Sequence, residues 1–353
     1  MPFYILKISE YGTKETLLWI GLIMGVSPLV TAVAAPFWGS LTTRIRPKLL
    51  YQAGTFFNGV IFLLMGFAGS LPLILFLRLC QGFLGGISTI GLVLIAATAD
   101  TEKRRHKHIS LFQNALTAGQ LVGPPLGAYA VTAFGYRAPF IIAFVVVFLA
   151  LLYCHLYVQD IPVQPKGLKE GSPRAKGVLW GWALGIVGTI HLTFLPSILP
   201  HILEGFLLTE DAAITTAGHL MMAYTATAIV GNYLMAGFSG RVSLGRLITV
   251  SCLSAAALQA LLYFSTGVYS FAAIRMLQTG MIAAVFPLVI SAFAGDARGS
   301  TLGFLNSSRF VGNSLGPLLA TSIMAHADLL TLYLTISGLT LAVLWAFLDA
   351  RSK

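Results

Sequence analysis

The sequence predicts an all-α membrane protein, and three observations carry that prediction. Of 353 residues, 57% are hydrophobic and only 10% charged, where a soluble domain carries about 25% charged residues. The apolar residues gather into eleven nearly charge-free stretches, most of them reaching the roughly 20 residues a helix needs to cross a bilayer. The Lys and Arg residues, finally, concentrate in every second gap between those stretches. A soluble core could not hide this much apolar surface behind so few charges. The composition therefore excludes a soluble enzyme, a nucleic-acid-binding domain and a disulfide-stapled secreted module.

In chain order the stretches are Thr16–Thr43, Leu49–Leu77, Leu79–Asp100, Ile109–Tyr136, Ala138–Gln159, Gly177–Leu203, Ala212–Gly240, Leu247–Ile274, Met276–Gly295, Gly299–Ala327 (interrupted by Arg309) and Leu329–Leu348. Each is read as a helix, because lipid leaves the backbone no partner but itself; barrel strands would be about 10 residues long with strict alternation. Setting the gap that holds Arg44, Arg46 and Lys48 inside brings 16 of the 22 Lys and Arg to that face. Lys7, Lys14 and Arg137 fall outside, and Arg78, Arg275 and Arg309 lie in or near spans. This positive-inside pattern predicts a multi-pass protein of the cell (inner) membrane, with lipid as its immediate partner. It also reads the basic Arg104–His108 cluster as a solvated face, not a nucleic-acid site. No charged–apolar–small pattern precedes the first stretch, so no cleavable signal peptide is expected.

Chemistry-bearing motifs are sparse. Cys80, Cys154 and Cys252 lie in apolar stretches at spacings that suggest neither a bridge nor a metal site, and the seven histidines are dispersed. There is no His-Glu-x-x-His and no phosphate-binding loop. No enzyme, metal or cofactor is expected. All twelve Asp and Glu fall in loops or at span ends.

The two ends of the chain repeat one another. Arg78-Leu-Cys-Gln81-Gly82 recurs as Arg275-Met-Leu-Gln278-Thr-Gly280, 197 positions later. Gly119-Gln-Leu-Val-Gly123-Pro124 recurs as Gly312-Asn-Ser-Leu-Gly316-Pro317, 193 positions later, and the basic turn after Gly39 recurs after Gly237. Between the copies lies Asp160–Lys176, rich in Pro, Gly, Lys and Arg, which reads as a linker. The expected organisation is a bundle over residues 1–159, a cytoplasmic linker over 160–176 and a second bundle over 177–353. Matched spans cross in the same direction in both halves, the parallel-repeat arrangement of major facilitator transporters.

The motifs themselves carry a resemblance to that superfamily over essentially the whole chain. Ala35-Pro36-Phe37-Trp38-Gly39, followed by Leu41, Arg44 and Lys48, resembles the signature loop between helices 2 and 3. Arg78, Gln81 and Gly82 resemble the helix 4 signature, and Gly119 through Gly127 around Gly123-Pro124 resembles the helix 5 signature associated with antiporters. The Ala-Pro-Phe-Trp-Gly run and the Asn306…Arg309…Gly312-Asn313…Gly316-Pro317 stretch are similar to the MdtG-type multidrug efflux branch. The sequence departs from the family in two places. Thr42 and Thr43 stand about where the loop signature usually has an Asp, and Met1–Ile8 resembles only the outer end of helix 1. The resemblance thus implies five helices in the first half and six in the second, most of helix 1 being absent. It further implies alternating access in a monomer around a central polar cavity, with efflux of small amphipathic compounds in exchange for protons. Two alternatives stay open: a facilitator-type exporter of a sugar, amino acid or other metabolite, and a truncated, transport-inactive membrane protein.

Physical reasoning selects the candidate residues. Arg78 lies about two turns into its span, where a charge costs roughly 2.5–3.5 kcal/mol on insertion scales and so marks a functional candidate; otherwise it snorkels outward or braces the bundle. With Gln81 and the repeat partner Arg275, it is a candidate for the substrate or proton pathway. His191, mid-span near Thr193 and Pro196, joins that set as a group able to carry a proton near neutral pH, or is a bystander. Gly119, Gly123 and Gly127 recur every four residues and form one smooth helix face, and Pro124 removes a backbone hydrogen bond. They and their counterparts Gly312, Gly316 and Pro317 are read as gating or packing positions. Gly39, Arg44 and Lys48 are read as the cytoplasmic gate loop, or as a topology signal. The Met221-Met222 pair would suit a promiscuous cavity and is assigned no site.

Overall fold

The computed structural model describes residues 1–42, 44–87, 90, 91, 94, 102–159, 176–238, 241–293 and 299–352. All regular structure among them is helical: α1 (Pro2–Ile8), α2 (Thr13–Leu41), α3 (Pro47–Met65), α4 (Leu71–Leu84), α5 (Glu102–Phe134), α6 (Ala138–Tyr157), α7 (Lys176–Thr193), α8 (Leu195–Glu204), α9 (Glu210–Phe238), α10 (Leu244–Leu261), α11 (Val268–Ile282), α12 (Val285–Phe293), α13 (Gly299–His326) and α14 (Leu329–Ser352). Proline sits in the first turn of α3, α4, α6 and α8, where its missing N–H is one the helix could not bond anyway. Most of the expected linker, residues 160–175, lies outside the described residues, as does Thr43.

Eight segments among the described residues are long and apolar enough to cross a membrane. The expected eleven is not reached by that measure. α4 is short at 14 residues, α5 opens with Glu102, Lys103, Arg104, Arg105 and Lys107, and α13 carries Asn306, Arg309 and Asn313. The basic segment before Ile109, expected as a loop, is the first two turns of α5; Lys, Arg and Glu are good helix formers.

Two boundaries move for a common reason. The stretch Leu49–Leu77 is not one span: α3 stops at Met65, and α4 begins at Leu71 after Gly66 to Ser70. Leu247–Ile274 is likewise divided, α10 ending at Leu261, with a 3-10 turn over Leu262–Phe264 and α11 starting at Val268. Arg78 and Arg275 accordingly lie two turns inside α4 and α11. Gly66 and Gly69 in one place, and Ser265, Thr266 and Gly267 in the other, set the turns.

The chain forms two compact units. One gathers Met1–Leu6, Glu10–Gly25 and Lys169–Lys353; the other gathers Lys7–Ser9 and Val26–Leu168. In the first, α7 packs along α13, α9 along α11 and α10 along α14, around two apolar cores. One centres on Phe194, Ile198, Phe271 and Tyr333, the other on Ile248, Cys252, Val285 and Phe347. In the second, α3 lies along α6, with Gly59 against Val147 and Gly66 against Phe140. The later turns of α2 lie so close to α4 that Thr31 Oγ1 donates to the Gly82 carbonyl at 2.9 Å and the Trp38 indole to that of Phe83.

Candidate functional site

The repeat seen in the sequence is reproduced in side-chain chemistry. In α4, Arg78 Nη1 donates to Gln81 Oε1 at 2.7 Å, and Gln81 Nε2 is 3.4 Å from Asn58 Oδ1 on α3. In α11, Arg275 donates in the same way to Gln278, whose amide donates to Gln259 on α10. Each half thus holds an arginine, a glutamine one turn on and an amide side chain from the preceding helix. Only the Arg-Gln spacing was legible in the sequence. Asn58 and Gln259 were not singled out, because their helices meet α4 and α11 only in three dimensions.

The second copy is the more elaborate. Arg275 is fully buried, and its Nη2 donates to the His191 carbonyl at 2.7 Å. Its guanidinium lies 4.9 Å above the Phe194 ring and 5.0 Å from the Tyr224 ring. Gln278 Nε2 reaches His191 Nδ1 at 2.8 Å, and His191 Nε2 is 2.8 Å from Thr340 Oγ1, itself bonded to the Ile336 carbonyl at 2.7 Å. Because an amide nitrogen only donates, Nδ1 accepts and Nε2 carries the hydrogen. The network holds the imidazole in its neutral Nε2–H form. No carboxylate partners Arg275 among the described residues; one carbonyl, one amide oxygen and two aromatic faces replace it. Arg78, half-buried, has a poorer set, and its Nε is buried without a partner, as is that of Arg275.

The other expected positions divide. Gly312 lies against Thr189 and the Ile186 carbonyl, and Gly316 against Thr193, so both serve the α7–α13 contact, with Pro317 buried beside them. Gly119, Gly123 and Gly127 share their spacing, but no described atom comes within 4 Å of where a Cβ would stand at any of them; Pro124 lies between. In the loop after α2, Arg44 is exposed and Lys48 Nζ donates to the His155 carbonyl at the end of α6, at 3.1 Å. Gly39 lies in the last turn of α2.

One polar surface was not assigned from sequence. Asn306, Arg309 and Asn313 recur at i, i+3 and i+7 along α13, with Asn306 and Arg309 exposed and Asn313 half-buried. Arg309 lies 5.3 Å over the Phe286 ring. On another side of the same helix, Trp182 stacks on Phe304 at 5.4 Å and donates from its indole to Ser307 Oγ at 2.9 Å.

Comparison with known proteins agrees with this architecture. The family model described as Major Facilitator Superfamily matches residues 1–209. The multidrug resistance protein MdtG of Dickeya zeae (strain Ech586) is 25% identical over 371 residues, covering 100% of this chain and 90% of that relative. The staphyloferrin B transporter of Staphylococcus aureus (strain NCTC 8325 / PS 47) is 24% identical over 99% of this chain and 86% of its own length. The crystal structure of a point mutant of the nucleoside transporter NupG superposes with a TM-score of 0.77 at 11% identity, over 99% of this chain and 93% of that one, which speaks to fold alone. Taken with the paired-arginine repeat and the membrane-spanning helices, these matches place the chain in the Major Facilitator Superfamily, as a multi-pass, non-enzymatic secondary transporter resembling the MdtG-type branch.

Proposed function

We propose that the protein exports small amphipathic compounds from the cell in exchange for protons, its two halves, 1–159 and 177–353, rocking about a site reached alternately from each side. The observation that carries export of such compounds is the whole-length likeness to a multidrug resistance protein. Proton exchange draws on the buried network of α11. With every Asp and Glu in loops or at span ends, the His191 imidazole is the basic nitrogen group of that network. A proton on Nδ1 would face the Gln278 amide N–H, donor against donor. Gln278 would have to turn its oxygen to the ring, and Arg275 would lose one of its two acceptors. Proton entry is thereby tied to a rearrangement of α7 and α11.

Arg78 and Gln81 form the matching polar point of the first half. Gly119, Gly123, Pro124 and Gly127 give α5 an open face on which a moving neighbour can slide, and Arg44 and Lys48 hold the cytoplasmic end. The test is efflux from everted vesicles loaded with a panel of cationic, anionic and neutral compounds. Arg78→Ala should abolish efflux with membrane insertion unchanged, and a proton ionophore should collapse it in the wild type. Efflux that survives the ionophore would overturn proton exchange, and efflux that survives Arg78→Ala would remove Arg78. The likeness to a staphyloferrin B transporter favours a second reading, export of a metabolite. A panel in which a single metabolite competes with all other cargo would select it.

A further inference from the structure

We infer that the Asn306–Arg309–Asn313 face of α13 is a binding site for the anionic group of an amphipathic organic acid, a carboxylate first of all. The position of the face is the first argument. At about 100° per residue, Ser308, Gly312 and Gly316 lie along one side of α13 and meet α7, where Cβ atoms on the two glycines would meet Thr189 and Thr193. Ser314, Pro317 and Thr321 lie along another side and meet Gly21 and Gly25 of α2. Two sides remain open. One carries Val311 and Leu315, as lipid requires. The other carries Asn306, Arg309 and Asn313, which lipid does not accept, because a guanidinium and two amides inside a span need water, protein or a ligand.

The second argument is the state of these side chains. None of the three has a hydrogen-bond partner among the described residues, although the helix runs on for several turns on both sides of them. The guanidinium is not folded back on a carbonyl, as Arg275 is. It lies over the Phe286 ring, and no described residue takes up its N–H groups in a hydrogen bond. A planar fork of donors is the geometry that takes a carboxylate with two parallel bonds. Asn306 and Asn313, about one turn to either side, add amide donors to the same face. The Phe286 ring under the guanidinium supplies an apolar surface at that fork, suited to the body of an amphiphile. The sign of the cargo follows from the charge at hand: Arg275 and Arg309 stand in the middle turns of α11 and α13, whereas Asp and Glu in the described helices occur only near helix ends. An organic cation at this face would meet a like charge and no carboxylate.

This deepens the export reading and rests on it in naming the anion as cargo; the binding site itself does not depend on it. The test uses the full chain in lipid nanodiscs, with tritiated 2-naphthoate and 2-naphthylmethylammonium as probes of matched shape and opposite charge. The wild type should bind the naphthoate about tenfold or more tighter than the ammonium. Arg309→Gln should lose about tenfold of the naphthoate affinity and none of the ammonium affinity. Arg309→Lys, which keeps the charge and loses the fork, should recover part of it. Equal elution profiles and melting temperatures show that both variants fold. Naphthoate binding unchanged in Arg309→Gln, a preference for the ammonium, or binding of neither probe by the wild type overturns the proposal. Everted-vesicle efflux of the same two probes separates the two readings. Arg309-dependent binding without efflux upholds the anion site and removes export; efflux of the ammonium but not the naphthoate upholds export and overturns the anion site.

Discussion

Arg275 is the clearest case of a side chain whose surroundings matter more than its identity. A lone buried cation is costly, yet this one is sealed from solvent and faces no acid. What offsets it is a set of neutral groups aimed at the guanidinium: the His191 carbonyl, the Gln278 amide oxygen and the Phe194 and Tyr224 rings. Replacing it by Met keeps the bulk, removes the charge and leaves two buried acceptors unpaired, at about 1–3 kcal/mol each. Arg275→Met should therefore unfold several degrees below the wild type in a detergent thermal-shift assay; an unchanged melting temperature would show that the network carries no stability. The i, i+3 pairing of Arg275 with Gln278, and of Arg78 with Gln81, could be read from sequence because both residues lie on one helix. The parts contributed by Gln259 and Thr340 could not, since their separations of 19 and 149 residues from their partners leave no local signature.

Among whole elements, the same limit separates what glycine spacing can and cannot say. Gly312 and Gly316 are four apart and do seat α13 on α7, but Gly119, Gly123 and Gly127, equally spaced, have no described atom near them. Spacing reports a smooth face and not what lies against it. The close crossing of α9 on α11 is announced by no four-residue glycine spacing. A Cβ at Gly231 would run into the Gly280 carbonyl oxygen, whereas one at Gly280 would find its nearest neighbour, the Thr227 carbonyl oxygen, at an ordinary 3.4 Å. The pair should thus respond unequally. Gly231→Ala forces two backbones apart and should cost about 1–3 kcal/mol, while Gly280→Ala should leave the melting temperature within a degree or two of the wild type. Equal effects would mean that the two helices slide freely. Charge was a similarly partial guide to the helices: it found the apolar segments, but it placed their ends at Arg78 and Arg275 when the turns lie at Gly66 and Gly267.

For the whole molecule, the question raised by the proposed proton exchange is how a chain with all its carboxylates in loops or at span ends could couple transport to a proton. On that proposal the group that takes up the proton starts neutral. His191 accepts from Gln278 and donates to Thr340, so it can take up a proton only if Gln278 turns, and Gln278 can turn only if it releases Arg275. Protonation and the loss of one of a buried cation's two acceptors then become one event, spanning α7, α10, α11 and α14. His191→Gln preserves hydrogen-bonding capacity but cannot titrate, and so divides transport from coupling. In proteoliposomes the variant should still exchange labelled for unlabelled cargo across the membrane, and should lose the accumulation that an imposed pH gradient drives in the wild type. Loss of both activities would assign His191 to the architecture of the bundle. Gradient-driven accumulation that survives in the variant would send the proton elsewhere and leave the α11 network a purely structural support for its arginine.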